Sequence, residues 1–94
     1  MSIFAVHYTY SEATVAGRNT HRPEHRAWLS GLIEAGSLLS SGPYADGSGA
    51  LLLFQAADEA ALEELLPQDP FAREKLIDAV RPVEWLPVMG TFSS

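Results

Sequence analysis

The chain is predicted to form one α+β domain in which two helices cover one face of a four-stranded antiparallel sheet. Three observations lead there. Strand-like and helix-like runs follow in the order strand, helix, strand, strand, helix, strand. The segment Ala45-Asp46-Gly47-Ser48-Gly49 is turn chemistry that folds the two middle strands into a hairpin, and Gly36 and Asp58 mark the end of one helix and the start of the next.

Residues 3–10 read as the first strand, rich in aromatic and β-branched residues and free of Gly and Pro. Both of its faces are largely apolar, which calls for cover on two sides. Residues 11–19 are polar, contain Gly17, and read as a loop. A helix then starts near Thr20 as its cap, takes Pro23 in its first turn, carries the apolar stripe Trp28, Leu29, Leu32 and Ile33, and stops at Gly36. Residues 37–44 form the second strand, ended by Gly42-Pro43, and residues 50–56 the third, a continuously apolar run suited to a central position.

Asp58 caps the next helix, with Ala61, Leu62, Leu65 and Leu66 as its buried stripe and Pro67 as its end. A short helical turn follows from Asp69-Pro70, with Phe71 and Leu76 facing inward. The last strand runs over residues 80–89, and Pro82 and Pro87 place it at an edge or at a bulge. With right-handed crossovers this order is a ferredoxin-like βαββαβ sandwich, one domain over residues 1–94.

Two helices cover only one face of such a sheet. Hydrophobic residues make up 47% of this short chain, with two Trp, three Tyr and four Phe, more than a lone small domain buries. A homodimer packed through the free sheet face is therefore expected. The formal charge of −6 repels a phosphate backbone, so no nucleic-acid partner is expected. The absence of cysteine excludes disulfides, thiolate zinc sites and cysteine nucleophiles. No basic leader and no bilayer-length apolar run is present, and the expected setting is the cytoplasm, with no membrane partner.

The chemistry concentrates in three islands: His25, Ser41-Gly42-Pro43 and Asp69-Pro70-Phe71. His25 lies four residues before Leu29 and three before Trp28, so on a helix its imidazole points to the buried side between Arg22 and Arg26. Imidazole gains and loses a proton near neutral pH, which makes His25 either a general acid–base group or a helix-entry histidine bonded to backbone. Asp69 before Pro70 is an N-cap signature. A second role is compatible with it: one oxygen accepts the helix N–H while the other accepts the N–H of His25 and fixes its tautomer.

Arg18, Arg22, Arg26 and Arg73 fall near these islands, enough for a local positive pocket that holds a small anion. Ser41 is a candidate hydrogen-bonding group of that pocket, and Gly42-Pro43 a turn that lets backbone approach closely. Metal binding by His21 and His25 is not expected, since Arg22 and Arg26 disfavour a dication and no Glu or Cys is placed to complete the site. No cofactor motif is present. Neither is a nucleophile elbow around Ser40 and Ser41. His7 reads as an interior or interface histidine, and Trp28 and Trp85 as core or interface residues.

The ordered set Arg22-Pro23-Glu24-His25, Glu34-Ala35-Gly36 with Leu38-Leu39, Ser41-Gly42-Pro43, Asp69-Pro70-Phe71 and Val80-Arg81-Pro82 resembles the YciI-like family, also called YCII-related domain proteins, over nearly the whole chain. The resemblance implies a ferredoxin-like domain that pairs into a dimeric α/β barrel. It also implies a pocket with a histidine–aspartate pair, which by motif match falls on His25 and Asp69. Members of that family include a dehydrochlorinase acting on a chlorinated hydroxyhydroquinone, and the dimeric barrel is shared with muconolactone isomerase. The chain departs from relatives in carrying Arg26 directly after the histidine, where an apolar residue is frequent, and in its short Asp46-Gly47-Ser48-Gly49 hairpin.

The functional expectation is a cofactor-independent lyase or isomerase acting on a small anionic or phenolic ring compound. His25 shuttles the proton, Asp69 orients it, and Arg22 or Ser41 holds a substrate oxygen. The alternative is a non-catalytic dimeric small-ligand-binding or scaffold protein in which the His25–Asp69 pair secures a helix end.

Overall fold

Four strands, β1 (Ser2–Thr9), β2 (Leu38–Pro43), β3 (Gly49–Ala56) and β4 (Ala79–Trp85), join into one sheet of order β2-β3-β1-β4 in the computed structural model, which describes residues 1–92. Every neighbouring pair is antiparallel. The helices are α1 (Val15–Ala35), α2 (Glu59–Leu65) and the single turn α3 (Pro70–Arg73). β1 and β2 therefore run the same way on either side of β3, linked through α1, and β3 and β4 flank β1, linked through α2 and α3. This is the ferredoxin-like sandwich, and the proline-bearing β4 is an edge strand, with Pro82 opposite Val6. Among the described residues no helix is long and apolar enough to cross a membrane.

Alternation along the strands sends Phe4, Val6 and Tyr8 of β1, and Ala50, Leu52, Phe54 and Ala56 of β3, to the helix side. There they pack with Leu38, Leu62 and Leu66, and with Trp28, Leu29 and Leu32 of α1. Two residues of the expected stripes face outward instead. Ile33 is 52% exposed, because Trp28, Leu29 and Leu32 already fill the contact. Ala61 is exposed because the short α2 buries only Leu62 fully, with Leu66 buried one turn later, just past its end. The Asp58 cap is present, with its carboxylate accepting the Ala61 N–H at 2.8 Å.

The largest departure from the sequence expectation is residues 11–19. A 3-10 turn over Glu12–Thr14 leads straight into α1, which begins at Val15 and carries Pro23 in its interior. Thr20 is no cap: its hydroxyl donates back to the Ala16 carbonyl at 3.1 Å. Two tertiary contacts stabilise the extra turns. Arg18 is buried, its guanidinium 4.2 Å above the Tyr10 ring and donating to the Ser11 carbonyl and the Thr14 hydroxyl. Gly17 lets the helix lie against Leu76, whose Cδ2 would be only 2.4 Å from a Cβ there. β4 is also shorter than expected. Its last residue, Trp85, pairs with Ile3, and only Ser2 of β1 lies beyond that pair.

Gly49 opens β3 opposite Thr9, and a Cβ on it would lie 1.8 Å from the Tyr8 carbonyl oxygen and 2.9 Å from its carbon. Both are backbone atoms of the central strand pair, so neither yields cheaply. Gly49→Ala is expected to destabilise the fold by about 3 kcal/mol, the upper end of ordinary overpacking. At roughly 4–8 °C per kcal/mol for a domain of this size, thermal denaturation followed by circular dichroism should show a fall of well over ten degrees. An unchanged melting temperature would mean that the β1–β3 register is not the one described.

Candidate functional site

Asp69 is the anchor. The Asp-Pro order starts α3 at Pro70, and the Asp69 side chain caps it by accepting the Phe71 N–H at 2.9 Å. The same turn packs under α1, so the carboxylate that caps one helix meets the buried side of another. Its relative exposure is 0%. A polar group buried so completely needs partners, and Asp69 has three: the Phe71 N–H and His25 Nδ1, at 2.7 Å, both on Oδ1, and the Tyr8 hydroxyl at 2.8 Å on Oδ2.

His25 arrives on α1 at the position given by its spacing from Trp28 and Leu29, and only 9% of its surface is exposed. Its ring stacks on Phe71, centroids 3.8 Å apart and planes within 5°. Asp69 thus fixes the imidazole's rotation in its plane, and Phe71 fixes the plane. Asp69 already accepts from Tyr8 and the backbone, so Nδ1 carries the hydrogen and donates. In the neutral ring that leaves Nε2 as an acceptor. Nε2 takes no partner among the described residues, is not sealed, and the ring lines a cavity of about 290 Å³.

The sequence predicts that the two Asp69 oxygens divide between helix cap and histidine. Instead one oxygen serves both, and the second goes to Tyr8, a residue the sequence analysis treats only as a strand position. Strand alternation turns Tyr8 inward, and a buried phenol needs an acceptor; that was the available signal. Burial first, then the charge of Asp69 and the hydrogen bond to it, push the Tyr8 hydroxyl far above its ordinary value, so it stays protonated and donates.

The other residues picked from sequence divide. Arg22, Ser41, Gly42 and Pro43 line the same cavity as His25. Asp69 does not line it; the carboxylate sits behind the imidazole. Arg26 lines the cavity too, and Leu29, Leu52 and Phe71 make its apolar wall. Arg73 lies in a separate depression beside Glu24 and Trp28, and Arg18 is buried as described, so neither joins the cavity lining. His21 lies 3.8 Å from Glu24 and 3.7 Å from Glu74, turned away from His25's carboxylate. Among the described residues no group of three His, Cys, Asp or Glu side chains is placed to hold a metal ion. His7 sits on the opposite sheet face, its Nδ1 2.5 Å from the Tyr44 hydroxyl.

Tyr10 is a further cavity residue that sequence reasoning missed. Its ring packs edge-on against Phe71 at 6.2 Å. Burial and the Asp69 charge raise its hydroxyl, and Arg18 and Arg22 lower it; the result is pushed up to about 12, a neutral donor at physiological pH. The cavity therefore presents a proton-accepting nitrogen, a phenol, two guanidinium groups and a serine around an apolar wall.

A family model described as YCII-related domain matches residues 2–86. Among solved structures, 5-chloro-2-hydroxyhydroquinone dehydrochlorinase from Burkholderia phenoliruptrix AC1100, in complex with 2,5-dihydroxybenzoquinone, is similar at a TM-score of 0.77 and 20% identity, over 88% of this chain and 92% of that one. A candidate antibiotic biosynthesis monooxygenase from Bacteroides thetaiotaomicron VPI-5482 is similar at a TM-score of 0.62 and 12% identity, over 99% of this chain and 94% of that one. At these identities the likeness is one of fold. No curated protein matches the sequence.

Proposed function

The chain belongs to the YCII-related domain family, and from that premise we propose that it is a cofactor-independent acid–base enzyme of the lyase or isomerase class, acting on a small anionic or phenolic ring compound. One observation carries the proposal: a fully buried carboxylate holds His25 by Nδ1, and the ring, whose Nε2 has no partner among the described residues, lines a cavity. Dehydrochlorination removes a proton as chloride leaves, and isomerisation moves a proton between carbons. Both need one group that takes a proton at a fixed place. In the proposal His25 Nε2 takes it, Asp69 stabilises the imidazolium that results, and Arg22 or Ser41 holds a ligand oxygen beside the Gly42-Pro43 stretch of the lining. The dehydrochlorinase with the same fold, which binds a dihydroxybenzoquinone, supports the choice of ring compounds.

The proposal is tested by incubating the protein with a panel of chlorinated hydroquinones and unsaturated lactones, reading chloride release and solvent deuterium uptake into the ring. Activity that disappears in His25→Gln is the expected result. A second reading has its own support, because the same Asp69 oxygen caps α3. In that reading the protein is a non-catalytic binding or scaffold module, no panel member turns over, and His25→Gln changes only the melting temperature.

The proposal extends to assembly. Ile3, Ala5, Leu51, Leu53, Val83 and Trp85 share the sheet face that the helices leave uncovered, brought side by side by the strand register. A second copy packed sheet to sheet covers it. Sedimentation should give twice the chain mass at micromolar concentration, and Val83→Arg, on the exposed edge strand, should give a folded monomer. A wild-type monomer at all concentrations would contradict it.

A further inference from the structure

Arg18, Arg22 and Arg26 recur every four residues on α1 and so lie along one flank of the helix, next to His25. Their commitments differ. Arg18 is buried and tied to Ser11, Thr14 and the Tyr10 ring. Arg22 lines the cavity and donates to the Asn19 side chain. Arg26 lines the cavity and has no hydrogen-bond, ion-pair or ring partner among the described residues. The chain holds twelve Asp plus Glu against six Lys plus Arg, yet no carboxylate side chain lines this cavity among the described residues. Asp69, bonded to the cavity-lining His25, is sealed behind the imidazole with its oxygens already taken. An acidic protein has built a cationic cavity and left one guanidinium in it uncommitted.

Resting on the acid–base proposal for the same cavity, we infer that Arg26 is its specificity-determining residue and receives a carboxylate carried by the ring compound, with Arg22 as the second donor. A guanidinium fork matches the two oxygens of a carboxylate, and this one gives up no internal contact to do so. Leu29, Leu52 and Phe71 take the ring's apolar face, and the Tyr10 hydroxyl is a donor for a further ring oxygen. A volume of about 290 Å³ lies at the small end of ligand sites, which fits a single ring. Phenols without a fixed charge leave Arg26 unpaired and bind less well.

The test compares benzoate with benzamide, alike in shape but not in charge, by calorimetric titration of the intact protein. Wild type should prefer benzoate by about tenfold or more, the size of one charge-assisted hydrogen-bond pair. The preference should shrink to about twofold or less in Arg26→Gln, survive in part in Arg26→Lys, weaken with added salt, and persist in His25→Gln. Arg26 is exposed on a helix surface, and the lysine variant keeps its charge, so loss of folding does not mask the result. Equal binding of the two probes, no benzoate binding at millimolar concentration, an undiminished preference in Arg26→Gln, or inorganic phosphate competing as well as benzoate would each overturn the inference. Failure of the acid–base proposal looks different: turnover unaffected by His25→Gln, with the benzoate preference intact.

Discussion

His25→Gln lowers turnover of whatever substrate the protein accepts by about 10²–10⁴-fold, the usual contribution of a positioned general acid–base group, while the melting temperature moves by only a few degrees. Glutamine suits the test because its amide can still donate to Asp69 and lie on the Phe71 ring, so the packing around α3 is kept. What it lacks is a nitrogen that accepts a proton at the Nε2 position. Rate loss without matching stability loss separates a proton-transfer role from a structural one. A variant that melts far below wild type yet turns substrate over at the wild-type rate per folded molecule would assign His25 to structure.

Asp69→Ala has the opposite profile, with the largest effect on stability. It strands the Tyr8 hydroxyl, His25 Nδ1–H and the Phe71 N–H in a region that water does not reach, and it removes the cap of α3. Breaking one partner out of a buried polar cluster costs about 3–5 kcal/mol. For a domain of this length that corresponds to a melting temperature lower by roughly 12 °C or more. Asp69→Asn is milder for the fold and equally telling for the site. Its amide can keep the backbone cap, but it no longer fixes His25 in the Nδ1–H form. Chemical denaturation of the two variants beside wild type gives the ordering: wild type, then Asn, then Ala. An alanine variant as stable as wild type would mean that the three bonds to Asp69 do not form in solution.

The way these residues come together explains which parts of the site could be read from the chain. His25 was legible because local helical spacing from Trp28 and Leu29 decides its direction, and Asp69 because Asp-Pro is a local cap signal. The meeting of the two was an inference about tertiary structure, and the structure places them 2.7 Å apart. Tyr8 escaped notice because alternation gives the face a strand residue occupies and not the partner it finds there, which lies 61 positions away. The first two turns of α1 were hidden for a similar reason. Gly17 and a polar run look like a loop until Leu76, from the far end of the chain, fills the space that a side chain would have taken, and Arg18 closes over Tyr10.

Sheet order and strand direction, by contrast, followed from element order together with the composition of the strands. Few right-handed connections are available to strand, helix, strand, strand, helix, strand, and the apolar third strand and proline-bearing fourth strand assign the centre and the edge. Register could not be read the same way. The shift between Leu38 and Ser40 on β2 depends on how that edge strand closes against β3, a contact with no signature in its own residues.

The claim on which the functional proposal rests is the protonation geometry of one ring. Nitrogen-15 NMR of the histidine-labelled protein reads it directly: at a pH where His25 is neutral, Nδ1 should carry the proton and Nε2 should show the shift of an unprotonated, accepting nitrogen, a pattern that Asp69→Asn weakens or reverses. A neutral His25 with its proton on Nε2 in the wild-type protein would contradict the account.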